Sequence, residues 1–157
     1  MPFFFRTGTI LELLSARIPL ILVDSDHYWM ESPLPWLLNQ TGYDVIVENN
    51  SIPPAWSVCA GFLYLNCTDP TLQLWRKVDQ HTKFFRSFTE TKHINEQTVI
   101  SRTLFEMQKR GEAIRRQKRR IRTGVLRYWN IADEMFPAPK HLKWGLFPLE
   151  TVVNGKN

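Results

Sequence analysis

The chain has 157 residues, of which 43% are hydrophobic and 22% charged, ordinary proportions for one soluble globular domain with a buried core. Its net charge of +5 is local. Lys109, Arg110, Arg115, Arg116, Lys118, Arg119, Arg120 and Arg122 stand against Glu112 alone, and the rest of the chain holds 12 basic and 14 acidic residues; the basicity is therefore one local segment and not a property of the whole domain.

No apolar run approaches the roughly 20 residues of a membrane span. The opening Met1-Pro2-Phe3-Phe4-Phe5 is too short for the apolar region of a signal peptide, so the chain reads as soluble and untargeted. Thr9 to Ala16 reads as a short helix with Ile10, Leu13 and Leu14 on one face. Pro19 to Val23 is a continuous apolar run that stops at Asp24, the pattern of a buried parallel strand covered on both sides. Pro33 and Pro35 bracket a turn, Tyr43 to Val47 reads as a second strand, and Ala60 to Leu65 as a third. Cys59 and Cys67 flank that third run. Eight residues of strand span about 26 Å, so an intramolecular disulfide is not expected.

Asp69-Pro70 predicts a helix start, Asp69 capping and Pro70 at the first position, with Leu74, Trp75 and Val78 on the buried face. A second long helix is predicted from about Asn95 to Met107, carrying Val99, Ile100 and Leu104. The basic segment over 109–123 reads as a solvated, partly helical insertion; a strip for phosphate-rich surfaces and a nuclear-localisation-like signal are the other two readings. Val125 to Trp129 is expected to return to the sheet, and the tail with Pro137, Pro139 and Pro148 to be irregular. Strands alternating with helices predict an α/β domain. The six Trp and the methionines Met30 and Met107 are read as packing residues.

Asp24-Ser25-Asp26 closes the apolar run. In open α/β sheets ligands sit beyond the carboxyl ends of strands. Two carboxylates one residue apart converge there if the chain turns after Asp24, and their mutual repulsion favours a hard cation. A turn cap and a solvated side chain are the plainer reading of the pair. Phosphatases of the haloacid dehalogenase type also place Asp-x-Asp here, but His27-Tyr28-Trp29 does not fit their continuation. The four histidines are scattered; His27 is the one near enough to serve as a third ligand, and a solvated side chain is the simpler reading.

The stretch Leu20 to Trp29, followed by Ser32-Pro33-Leu34, resembles the strand, Asp-x-Asp, aromatic and x-Pro-Leu pattern of the nucleotide-diphospho-sugar transferase family, within the GT-A retaining glycosyltransferases. Ala60-Gly61-Phe62-Leu63-Tyr64 resembles its Gly-Phe-x-Tyr strand. Leu74-Trp75 is similar to the helix that follows, Glu96-Gln97 stands where the family carries Asp-Gln, and Asn154-Gly155 resembles a late Asn-Gly loop. The resemblance implies a Rossmann-like GT-A fold, a mixed, mostly parallel sheet flanked by helices, within one domain over 1–157. Only 23 residues precede Asp24, fewer than one βαβ unit of about 30. The expectation is thus of a partial domain, trimmed on its N-terminal side.

The implied activity is transfer of a sugar, with retention, from a nucleotide-sugar donor to a glycan or protein hydroxyl. Asp24 and Asp26 would hold manganese or magnesium against the donor diphosphate. Gly61 would let backbone approach the donor sugar above a buried Phe62, and Glu96 and Gln97 would meet that sugar near its anomeric carbon. Trp29 would form an acceptor platform. Arg6 would reach a phosphate, with a plain surface arginine as the alternative. The resemblance also implies the Golgi lumen as the place of work. A non-catalytic remnant without a nucleotide-base pocket and a basic anion- or nucleic-acid-binding module are the competing readings.

Overall fold

The computed structural model describes residues 3–25, 27–29, 31–49, 58–108, 123–147 and 152–154. Helix α1 (Phe3–Ser15) begins six residues before the predicted start at Thr9 and contains Gly8. The helix buries Thr7, Ile10 and Leu14. It ends with Arg17 in the left-handed region at φ 61°. The amides of Arg17 and Ile18 donate to the carbonyls of Leu14 and Leu13, which closes the last turn in a Schellman arrangement.

Strands β1 (Leu20–Val23), β3 (Val45–Asn49), β4 (Val58–Leu65) and β5 (Trp144–Leu146) form a sheet in the order β1-β4-β3-β5. The sheet is mixed and α/β, as expected, but its proportions are reversed. β1 and β3 both run antiparallel to β4, and only β3 and β5 are parallel. β1 is thus an antiparallel edge strand and not the buried parallel strand expected. Its run is continuously apolar because both faces are nonetheless covered. Leu20 and Leu22 pack into the larger core, and Ile21 into a second cluster with Leu37, Ile46, Phe62 and Phe147. Strand β2 (His27–Trp29) pairs antiparallel with β6 (Val152–Asn154) in a separate two-stranded ribbon. Between them in sequence, the predicted turn at Pro33–Pro35 carries a single helical turn, α2 (Leu34–Leu38), opened by Pro35.

The larger core lies between the sheet and helices α3 (Asp69–Arg86), α4 (Glu96–Gln108) and α5 (Thr123–Met135), with α1 beside them. Leu74, Trp75, Val78 and Phe85 come from α3, Val99, Ile100 and Leu104 from α4, and Trp129 and Ala132 from α5. The cap of α3 is Thr68 and not Asp69: its Oγ1 accepts from the Thr71 amide at 3.4 Å and donates to Asp44 at 2.6 Å. Asp69 sits in the first turn, paired with Arg17 at 2.8 Å.

Two further expectations fail. Val125 to Trp129 lies in α5 and does not return to the sheet; buried Trp129 and Ala132 are three residues apart, the spacing of one helix face. The irregular tail instead supplies β5, whose Gly145 leaves room for Tyr43: a Cβ there would lie 3.0 Å from the ring. Cys59 and Cys67 are not joined in a disulfide, as their positions in and just beyond β4 require. No helix among the described residues is long and apolar enough to cross a membrane. The basic run 109–122 lies outside the described residues.

Candidate functional site

The register of β3 on β4 shifts between Val47 and Glu48: Val47 faces Leu63 whereas Glu48 faces Cys59. Ala60, Gly61 and Phe62 of the central strand are therefore opposite no β3 residue. A bulge of this kind frees backbone groups from the ladder, and each freed group needs another partner. Gln97 Oε1 accepts from the Ala60 amide at 3.2 Å, and Arg6 Nη2 donates to the Ala60 carbonyl at 3.2 Å. The Gly61 carbonyl takes the Asp24 amide at 2.8 Å, and Ser101 Oγ takes the Val58 amide at 3.0 Å.

The bulged part of β4 thus gathers side chains from α1 and α4, beside the point where the backbone of Asp24 leaves β1. Five of the candidate residues named from the sequence meet here: Arg6, Asp24, Gly61, Glu96 and Gln97. Ser101 escaped the sequence reading. Its place four residues after Gln97, on the same helix face, was the available signal. Trp29 lies in β2, with its side chain outside the described residues, as is Asp26 altogether.

The charges are arranged around Arg6. Its Nη1 lies 3.3 Å from Asp24 Oδ1 and 3.9 Å from Glu96 Oε1. Asp24 directly follows β1 with its side chain 47% exposed, whereas the Glu96 side chain is 4% exposed. Glu96 opens α4, where the positive end of the helix dipole favours a carboxylate. Its Oε2 is buried and has no hydrogen-bond partner among the described residues. Arg6 is itself held from below. The adjacent Thr7 donates to Asp79 at 3.0 Å, and its carbonyl accepts from Trp75 Nε1 at 3.0 Å. Both bonds are buried and tie α1 to α3.

Asp24 fits a divalent ion: a hard oxygen donor at a strand end, exposed enough that coordination needs little desolvation. Among the described residues no three His, Cys, Asp or Glu side chains cluster as a metal cage. An ion here would have Asp24 as its one described carboxylate ligand and would fill the rest of its shell with water or phosphate oxygens, as magnesium and manganese do. A groove of about 730 Å³ between α3 and the segment after α5, lined by Arg76, Lys77, Phe136 and Lys140 among others, contains none of the candidate residues.

The family model of the nucleotide-diphospho-sugar transferases matches residues 4–147, from α1 through the last strand of the main sheet. No curated protein and no solved structure matches the chain. A match over nine-tenths of the sequence, containing every element that builds the site, places this chain in the nucleotide-diphospho-sugar transferase family.

Proposed function

We propose that the chain is a metal-dependent glycosyltransferase that moves a sugar from a nucleotide-sugar donor to a hydroxyl of a glycan or protein, with retention at the anomeric carbon. Its family is one of nucleotide-sugar transferases, and glycosyl transfer is the activity that follows from it. The observation that supports the finer reading is the convergence of Arg6, Asp24, Glu96 and Gln97 on the bulged segment at Ala60 and Gly61.

Asp24 and Asp26 would hold the manganese or magnesium ion, which would neutralise charge gathering on the departing diphosphate. The chain's own residues orient the donor. Gly61, without a side chain, lets the sugar approach the strand. Glu96 and Gln97, fixed at the start of α4, meet the sugar beside its anomeric carbon. Arg6 offers a guanidinium fork to a phosphate. In the transfer the bond from the anomeric carbon to the phosphate oxygen breaks, and one to the acceptor oxygen forms on the same face. The acceptor proton leaves with the diphosphate. Positioning and electrostatic stabilisation supply most of the acceleration in such a step. With the resemblance, we place this activity in the Golgi lumen.

The test is donor turnover. UDP- and GDP-sugars are incubated with the protein and manganese, and release of nucleoside diphosphate is followed. Turnover with one donor that vanishes in Asp24→Asn and in chelator supports the reading. Equal turnover in Asp24→Asn refutes it.

A further inference from the structure

We propose that Arg6 is the resident counter-cation of the donor site: it serves Asp24 and Glu96 until a divalent ion and the donor diphosphate bind together, and then exchanges Asp24 for the diphosphate. The inference rests on the functional reading above and adds a coupling to it.

One guanidinium stands between three acceptors drawn from three elements: Asp24 Oδ1 of the β1 end at 3.3 Å, Glu96 Oε1 of α4 at 3.9 Å and the Ala60 carbonyl of β4 at 3.2 Å. Glu96 is the member that most needs it. Its side chain is almost wholly buried, its Oε2 has no partner among the described residues, and no other described cation pairs with it. Asp24 can trade this partner for water; Glu96 cannot.

An ion that approaches Asp24 alone meets a like charge 3.3 Å from the oxygen it seeks. It must share that carboxylate or displace Arg6, and displacement leaves Glu96 charged and buried. A nucleoside diphosphate changes the balance. The guanidinium fork matches phosphate oxygens, so Arg6 exchanges Asp24 for the diphosphate while its guanidinium stays within reach of Glu96. Asp24 is then released to the ion. Metal and nucleotide therefore favour each other through Arg6, and the coupling is reciprocal. The ion alone is held weakly, and the site is charged only when its donor is present.

Free Mn2+ is followed by electron paramagnetic resonance as it is titrated into the wild type, Arg6→Gln, Glu96→Gln, the Arg6→Gln/Glu96→Gln double variant and Asp24→Asn. Each titration is run with and without UDP or GDP. Arg6→Gln is expected to bind Mn2+ alone about three- to fivefold more tightly than the wild type, the weight of a partly exposed ion pair. The enhancement by nucleoside diphosphate should shrink by at least the same factor. If Arg6→Gln folds poorly with Glu96 unpaired, the double variant compared with Glu96→Gln gives the same reading. Wild-type Mn2+ binding that is lost in Asp24→Asn but no tighter without Arg6 overturns the counter-cation and leaves the donor site standing. Mn2+ binding that ignores Asp24 in every variant overturns both.

Discussion

Ala60 contributes only backbone to the site, yet its amide is held by Gln97 and its carbonyl by Arg6. Gln97→Ala leaves a partly buried amide unpaired, a loss of about 1–2 kcal/mol that denaturant unfolding would register. Glu96→Gln separates chemistry from stability. A neutral amide relieves a buried carboxylate with an unpartnered oxygen, so unfolding free energy should stay within about 1 kcal/mol of the wild type, while sugar transfer falls by about 100-fold. Transfer at the wild-type rate would remove Glu96 from the site. At this scale the sequence was informative wherever a residue carries its own chemistry. Asp24 after an apolar run could be named in this way; Glu96-Gln97 and Gly61 were named through the family resemblance, and the four meet. Thr68 and Ser101 could not be found in the same way. Their roles are set by backbone groups that a cap and a register shift leave free, and neither a cap's exact residue nor a bulge has a residue type of its own.

Helices α3, α4 and α5 are joined at one carboxylate. Asp133 accepts from Lys77 at 2.7 Å, from His81 at 3.1 Å and from Arg102 at 3.0 Å, and Arg102 also lies over the Trp129 ring at 4.4 Å. Burial pulls the Asp133 pKa up, but the hydrogen bonds from His81 and Lys77 and the charges of Lys77 and Arg102 outweigh it and hold the carboxyl below the usual aspartate range. Asp133→Asn should therefore destabilise the fold by about 3 kcal/mol, read from denaturant midpoints; a change under 1 kcal/mol would mean the cluster is ornamental. Gly8→Ala runs the other way. Gly8 lies within α1 with open space where a Cβ would stand, and the substitution should stabilise by about 0.5–1 kcal/mol. The elements misread from the sequence share a cause. Val125 to Trp129 is β-prone over five residues, and only the packing of Trp129 with Ala132 reveals the helix. β5 has three residues and a glycine, too short for a period of two to show; its pairing with β3 is a long-range contact. The start of α3 and both bounds of α4 were readable because both helices are long and open at polar capping segments.

For the molecule as a whole, His81 sets a pH limit. It is fully buried in the α3–α5 cluster. Burial lowers its pKa first, Lys77 adds to that, and the bond to Asp133 only partly opposes them. A histidine neutral in the fold and ordinary in the unfolded chain takes up a proton on unfolding once the pH drops below its usual value of 6.5. Stability should therefore fall as pH decreases from about 6.5, before the Asp133 contribution is lost below the ordinary aspartate value of 3.8. In His81→Gln the slope of Tm between pH 7 and 5 should flatten; an unchanged slope would place the proton elsewhere. The α/β class could be read from the alternation of elements and the mixed sheet came with the resemblance, whereas strand direction could not be read, since an apolar run covered on both faces looks alike at an antiparallel edge and in a parallel interior. Central to the whole account is one binding site formed by α1, the β1 end, the β4 bulge and α4, and thermal unfolding with manganese and UDP or GDP tests it most directly. At about 100-fold excess of ligand over Kd, the wild-type midpoint should rise by about 5–10 °C, only with metal and nucleotide together, and the Asp24→Asn/Asp26→Asn variant should show no rise. A cooperative wild-type transition that neither nucleotide moves, or an equal rise in the double variant, would contradict it.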